Sequence, residues 1–389
     1  MDPLDTADVL IIGGGIIGLS IAYHVARAGG GGRACRIVVF ERASQVGTGS
    51  TAKATGGIRH QFATEVNVRL TQLSLPAFLR FEEEMGEPVD LVQHGYLFVT
   101  AQERAAETMR RGVALQQRLG VPSRWLPPDD VRAVFPAVRT DDLVGGTFCP
   151  LDGSANPYGA VQGYLRRCRE LGVQVRLDEE VTGIDVRAGT VAGVRTARGA
   201  CAGPVVVNAA GPRARNVAAM VGVALPVAPY RRQVFVMTPL PELGSGRPLT
   251  VDLDTGWYVH QDRAGALYTG GTDKDSRPGL DEVVDWDGFD TVAQAALARV
   301  PAMAGARLMR GYAGIRSLTP DHHAILGPVP APDGFYLANG FSGHGFMHAP
   351  AVGQLLAEII LDGGAHSLDA TPLSVARFAQ GTHLESVSF

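Results

Sequence analysis

Gly13, Gly15 and Gly18 are spaced G-x-G-x-x-G, directly after the apolar run Val9–Ile12. They open a segment, Ile16–Ala28, whose apolar residues recur at helical spacing. Phosphate binding is the chemistry that such spacing serves. Gly13 permits a tight turn, Gly15 lets backbone approach a pyrophosphate, and Gly18 lets helix pack on strand. The helix N-terminus adds N–H groups and the positive end of its dipole. Glu41 closes the next apolar run, "RIVVF" (Arg36–Phe40), and the extra "GGGG" at Gly29–Gly32 accounts for its slightly long separation from Gly18. An acid at that point accepts hydrogen bonds from a ribose diol and repels a 2′-phosphate. The expected ligand is an adenine dinucleotide.

The elements that must position this turn are legible in outline. Segments 63–85 and 102–119 read as helices, with "HGYLFVT" (His94–Thr100) a strand between them. A helix follows "DGSANPYG" and runs to about Glu170, and short strands "VQVRL", "VTGIDV", "VAGVRTA" and "PVVVNAAGP" come next. From about 215 to 310, closely spaced strands ("QVFVMT", "GWYVHQD", "ALYTGG") and a helix near 286–300 suggest an antiparallel sheet. Asp333–Gly363 returns to strand, Gly-rich turn and helix.

With 389 residues the chain can bury a large core. A net charge of −4 and the lack of any Lys/Arg run interleaved with aromatics argue against nucleic acid. No apolar stretch long enough for a membrane span lacks glycine clusters or charge. Asp2, Asp5 and Asp8, rather than basic residues, precede the first apolar run, so it is not read as a signal peptide. Cys35, Cys149, Cys168 and Cys201 have no CxxC spacing, which argues against a metal site or disulfide framework and fits a reducing cytoplasm.

The stretch "GTGSTAKATGGIRHQF" (Gly47–Phe62), straight after the acid, resembles the D-amino-acid-oxidase-like FAD oxidoreductases, in the branch of sarcosine oxidase, its β-subunit relatives and glycine oxidase. "VVVNAAGPRA" (Val205–Ala214), "GIRSLTPDHHAILGP" (Gly314–Pro328) and "GFSGHGFMHAPAVG" (Gly340–Gly353) extend the resemblance over essentially the whole chain. It implies FAD, contacted by the first glycines with Ile16 and Ile17, and by Glu41 and Arg42. Ser50, Thr51, Ala52, Gly56, Gly57 and Ile58 would line the stretch that wraps the cofactor. Val181, Ala210, Gly211 and Gly314 would add contacts, as would Gly343, His344, Gly345, Phe346 and Met347 at a second helix start, where the dipole favours an anionic reduced ring.

The resemblance also implies oxidation of the C–N bond of a small amino acid or secondary amine (sarcosine, proline or D-amino-acid type) to an imine, by hydride transfer to flavin. A carboxylate on such a substrate needs a cation, and guanidinium is the best partner. Arg59 in "GGIRHQF" and Arg316 in "GIRSLTPD" are the candidates, with Tyr258 a wall of the substrate pocket. His60 is read as orienting Arg59 or accepting a proton. His260 shares the strand of Tyr258, whereas His322 and His323 are read as structural.

Several positions depart from the branch. Met347 stands where sarcosine oxidase has a carboxylate-holding lysine, Gly314 stands at the flavin-attachment cysteine of the monomeric enzyme, and Lys53 stands at the flavin-carrying histidine of dimethylglycine-dehydrogenase relatives, so FAD is expected to be non-covalent. The lysine that activates oxygen aligns near Leu267–Tyr268, which points to a dehydrogenase with another electron acceptor.

The fold class expected is α/β (α+β). A Rossmann-like FAD-binding domain would be assembled from residues 1–90, 145–220 and 320–389, with an inserted antiparallel β-rich substrate domain from 91–144 and 221–319. Two other functions fit the same residues: a FAD-dependent 2-hydroxy-acid dehydrogenase, and a non-catalytic FAD-binding subunit or assembly factor with a partner subunit.

Overall fold

The computed structural model describes residues 5–29, 35–271, 277–381 and 384; Asp2 and Gly30–Gly32 lie outside them. Val9–Ile12 and Ile37–Phe40 are buried at every residue, as the near-continuous apolar runs of a sheet covered on both faces should be. Together with Gln174–Arg176, Val205–Asn208, Phe335–Asn339 and Ile325–Pro328 they form a sheet of six described strands. Val9–Ile12 lies between Val205–Asn208 and Ile37–Phe40, all parallel. The outermost strand, Ile325–Pro328, is antiparallel to its neighbour. First, middle and last segments of the chain therefore meet in one sheet.

Two helices on this sheet bring the glycine turn and the C-terminal signature together. Helix Ile16–Gly29 packs against helix Gly345–Asp362 so closely that a Cβ on Gly353 would stand 2.2 Å from Ser20 Oγ. Ser20 Oγ donates to the Ala349 carbonyl at 2.7 Å, which pins the two helices at that point. Helix Pro157–Glu170 covers the same face; Pro157 occupies its first turn, and Asn156 caps it by accepting from Tyr158 N at 3.0 Å. The segment read as one helix over 63–85 is two, Glu65–Leu79 and Phe81–Met85, with Pro76 in the last turn of the first.

A second sheet of eight described strands runs Leu308–Leu318, Ala228–Met237, Leu267–Gly270, Tyr258–Gln261, Leu249–Asp252, Tyr96–Thr100, Gly145–Cys149, Arg124–Leu126. Two expectations need correction here. The sheet is not wholly antiparallel, since Leu249–Asp252 runs parallel to Tyr96–Thr100. Gly145–Cys149, placed by its sequence position with the nucleotide segments, belongs to this sheet because it pairs along its whole length with Tyr96–Thr100. Its glycines permit the close approach: a Cβ on Gly146 would stand 2.5 Å from the Phe98 carbonyl oxygen.

Candidate functional site

A cavity of about 880 Å³ runs between the two sheets. At one end Glu41 and Arg42 face Val181; the wall then passes Gly13, Gly15, Ile16 and Ile17 and ends at the start of helix Gly345–Asp362. Gly13 has φ +114°, and a Cβ there would meet the Ala209 carbonyl oxygen at 2.4 Å, so only glycine makes this turn. Gly18 lies beneath the turn rather than on the cavity, where a Cβ would meet the Gly13 carbonyl oxygen at 2.0 Å. Gly15 is different, since a Cβ there would meet only Thr51 Oγ1, at 3.5 Å, among the described residues. Its backbone is bare to the cavity, as close approach of a pyrophosphate requires.

Glu41 is held from both sides. Its Oε2 accepts from Gly14 N at 2.9 Å and its Oε1 from Ala43 N at 2.8 Å. Each carboxylate oxygen keeps a lone pair for a ribose hydroxyl. The loop after it is tied down at two adjacent residues, from opposite sides. Thr51 Oγ1 accepts from Ile16 N at 3.3 Å, and Ser50 Oγ donates to the Ile315 carbonyl at 2.6 Å. The residues present fit an adenine dinucleotide laid from Glu41 past Gly15 to a second helix N-terminus.

At that far end stand the cations. Arg316 lies deep in the molecule on the long outer strand, yet it is exposed to the cavity. Burial lowers its pKa below the ordinary guanidinium value, and among the described residues no carboxylate pairs with it. Its side chain lies over Gly343, where a Cβ would stand 2.7 Å from Nε. Arg59 is buried in the same wall, with Cζ 4.1 Å from the Phe62 ring centroid and 5.3 Å from that of Phe98. Its Nη1 donates to the Gln61 carbonyl at 2.5 Å and its Nη2 to His344 Nε2 at 3.2 Å. Burial lowers the Arg59 pKa to about 10, so it stays charged at neutral pH. His344 is held neutral, well below its ordinary value, by burial and then by Arg59.

Tyr258, Tyr96 and Phe98 line this end with Leu249 and Val251. The Tyr96 hydroxyl fits over Gly57, where a Cβ would stand 1.8 Å from it. Met347 and Lys53 are in the wall as well, and a Cβ on Gly314 would stand 2.5 Å from Lys53 Cβ. Ala210, Gly211, Gly56, Phe346 and the remaining expected contacts also line the cavity, with four exceptions.

The exceptions have physical causes. Gly18 is under the turn, Ile58 points into the core, and Ala52 faces solvent with its N–H bonded to the Gly47 carbonyl. His60 points away from the cavity, its Nδ1 donating to Asp152 Oδ1 at 2.9 Å, which removes it as a proton acceptor for a substrate there. Leu267 and Tyr268 do not line the cavity either. His260 is buried behind the wall against the Thr55 backbone. His323 donates to the Asp321 carbonyl and accepts from Thr64 Oγ1, a structural role as expected.

The sequence reading missed Tyr96, Phe98 and Asp152. Alternation in "HGYLFVT" puts Tyr96 and Phe98 on one face, a signal present but uninterpreted. Asp152 carried no local signal. It lies with His60 and Cys149 in a group whose potential ligand atoms are within 4.8 Å of one another. All four cysteines are unpaired. Among the described residues, no helix is long and apolar enough to cross a membrane.

Comparison with known proteins agrees with this geometry. The chain is 32% identical to mitochondrial sarcosine dehydrogenase of Mus musculus over 375 residues, covering 92% of this chain but only 40% of that protein. It is 30% identical to FAD-dependent oxidoreductase domain-containing protein 1 of Bos taurus, over 97% of this chain and 86% of that one. Among solved structures, L-proline dehydrogenase from P. horikoshii superposes with TM-score 0.90 at 28% identity, over 98% of this chain and 100% of that one. Glycine oxidase from Geobacillus kaustophilus gives 0.85 at 25% identity, over 96% and 99%. Residues 8–359 match the family described as DAO, FAD dependent oxidoreductase. With its glycine turn, its anchored Glu41 and the second helix start placed as that cofactor requires, this chain belongs to the DAO family of FAD-dependent oxidoreductases.

Proposed function

We propose that this protein oxidises the C–N bond of a small amino acid or secondary amine to an imine, with its FAD held non-covalently. The observation that carries the reading is Arg316, a guanidinium facing the cavity at the end marked by the second helix N-terminus, with no acidic partner among the described residues. FAD, when bound, would accept a hydride from the carbon next to nitrogen, and the substrate's iminium would then lose its N–H proton to water to give the imine.

The chain's own residues prepare the substrate. Arg316 presents a planar fork to the carboxylate, and Arg59 adds a second positive charge in the same wall. Both charges disfavour an ammonium nearby, so the substrate binds with its amine neutral and the proton left in water. His344, neutral and accepting from Arg59, does not take that proton. Tyr96, Phe98 and Tyr258 exclude water from the reacting carbon. Lining residues include no cysteine, and His344 is the only described histidine among them, which supports non-covalent FAD. Four unpaired thiols support a reducing compartment such as the cytoplasm.

The test is anaerobic mixing of the yellow protein with a panel of amino acids, N-methyl amino acids and 2-hydroxy acids. Loss of the flavin colour with amines is the expected result. Reduction by hydroxy acids alone would move the activity to C–O oxidation, and reduction by nothing would make the chain an idle FAD-binding subunit. Acid precipitation should leave the FAD in the supernatant.

A further inference from the structure

Asp152 lies outside the cavity wall and is fully buried. A buried carboxylate is costly unless its oxygens are satisfied, so its partners show what it is for. Oδ1 accepts from His60 N at 2.7 Å and from His60 Nδ1 at 2.9 Å; Oδ2 accepts from Gln61 Nε2 at 3.0 Å. All three donors belong to the two residues that follow Arg59. Gln61 Nε2 also donates to the Tyr96 carbonyl at 3.0 Å, and Gly95 N donates to the Asp152 carbonyl at 2.8 Å. The next two residues, Gly153 and Ser154, pair with Gly57 and Ile58 just before Arg59. One side chain and its neighbours thus grip the arginine segment on both sides and join it to Tyr96.

We propose that Asp152 is a positioning residue for substrate binding, acting through Arg59. The link is short: the Gln61 side chain is held by Asp152, and the Gln61 carbonyl receives Arg59 Nη1. With that end fixed, Arg59 Nη2 is aimed at His344 Nε2, at the start of the second helix. Asp152 also favours the charged form of Arg59 electrostatically, which offsets part of the burial of that guanidinium. An amide at position 152 cannot replace it. It lacks the charge, and its NH₂ would face either the His60 donors or the Gln61 amide donor. The buried Gln61 Oε1, which has no partner, cannot rescue the contact without turning the Nε2 away from Tyr96.

The role of Asp152 rests on the substrate reading above only in its functional arm, so the experiment has two arms. A crystal structure of FAD-loaded Asp152→Asn should show residues 59–61 displaced and Arg59 Nη2 beyond hydrogen-bond reach of His344. An intact Arg59–His344 contact would overturn the proposal whatever the substrate is. In the second arm, Asp152→Asn, Arg59→Met and the double variant are titrated with the amine that reduces the flavin most effectively. Asp152→Asn alone should weaken binding about tenfold, and should add less than twofold once Arg59 is gone. Additive losses would reduce Asp152 to general support of the fold. If Asp152→Asn does not fold, Gln61→Met removes the same link more gently, with the same pattern expected and the same result overturning it. If no amine reduces the flavin, the substrate reading fails while the crystallographic arm still decides the role of Asp152.

Discussion

Arg316→Met removes a guanidinium while keeping much of the apolar stem that crosses Gly343. In the structure that guanidinium has no carboxylate partner among the described residues, so its removal leaves no buried acid unpaired. The loss should therefore fall on substrate. A planar fork gives a carboxylate two charge-assisted hydrogen bonds, and truncating one partner of a buried charged pair costs about 2–5 kcal/mol. Arg316 is exposed to the cavity, and water there screens part of the attraction, which favours the lower part of that range. A loss of about 2–3.5 kcal/mol weakens binding roughly 30- to 300-fold. The assay is anaerobic titration of the FAD-loaded variant, reading flavin reduction against substrate concentration, with the resting flavin spectrum as control. Arg316→Lys should fall between, because it keeps the charge and loses the fork. A dissociation constant within threefold of the parent, with FAD still bound, would refute the anchoring role. Loss of FAD would reassign Arg316 to the cofactor or the fold.

Two further outcomes follow from neighbouring geometry. Gly343→Ala places a Cβ 2.7 Å from Arg316 Nε at a residue with φ +96°. It should cost about 1–3 kcal/mol of stability in denaturant titration and also weaken substrate, because Arg316 must move. His348 is 1% exposed, and burial, then Arg59, lowers its pKa to about 3. Below pH ~6.5 the unfolded chain binds a proton that the folded chain refuses, so stability should fall as the pH drops from there toward 3, by up to about 5 kcal/mol for this group. His348→Gln should reduce the slope of stability against pH between 6.5 and 4 by about one proton; an unchanged slope would show that the ring is protonated in the fold.

Residue spacing was enough to specify the cofactor end of this protein. Gly13, Gly18 and Glu41 are dictated by backbone conformation, by close packing and by hydrogen bonding within a single strand–turn–helix–strand unit. Those constraints act between residues near in sequence, so spacing reveals them. The strands Val9–Ile12 and Ile37–Phe40 and the helix Gly345–Asp362 were legible for a related reason, because burial on both faces of a strand, or all round the first turns of a helix, leaves a nearly unbroken run of apolar and small residues.

Folding in three dimensions selects the side chains that share the substrate end. His60 and Arg59 are adjacent in sequence, yet the turn sends one to Asp152 and the other into the cavity wall. Tyr96 and Phe98 join Arg316 there because the second sheet lays residues 96–100 and 308–318 along one cavity. Gly145–Cys149 changed sheets because its pairing partner, Tyr96–Thr100, lies far back in the chain. Contacts between distant segments depend on strand pairing and crossing angles, which leave no periodic mark in any one segment. A carboxylate such as Asp152, whose donors lie some ninety residues away, can be recognised only when the chain is folded.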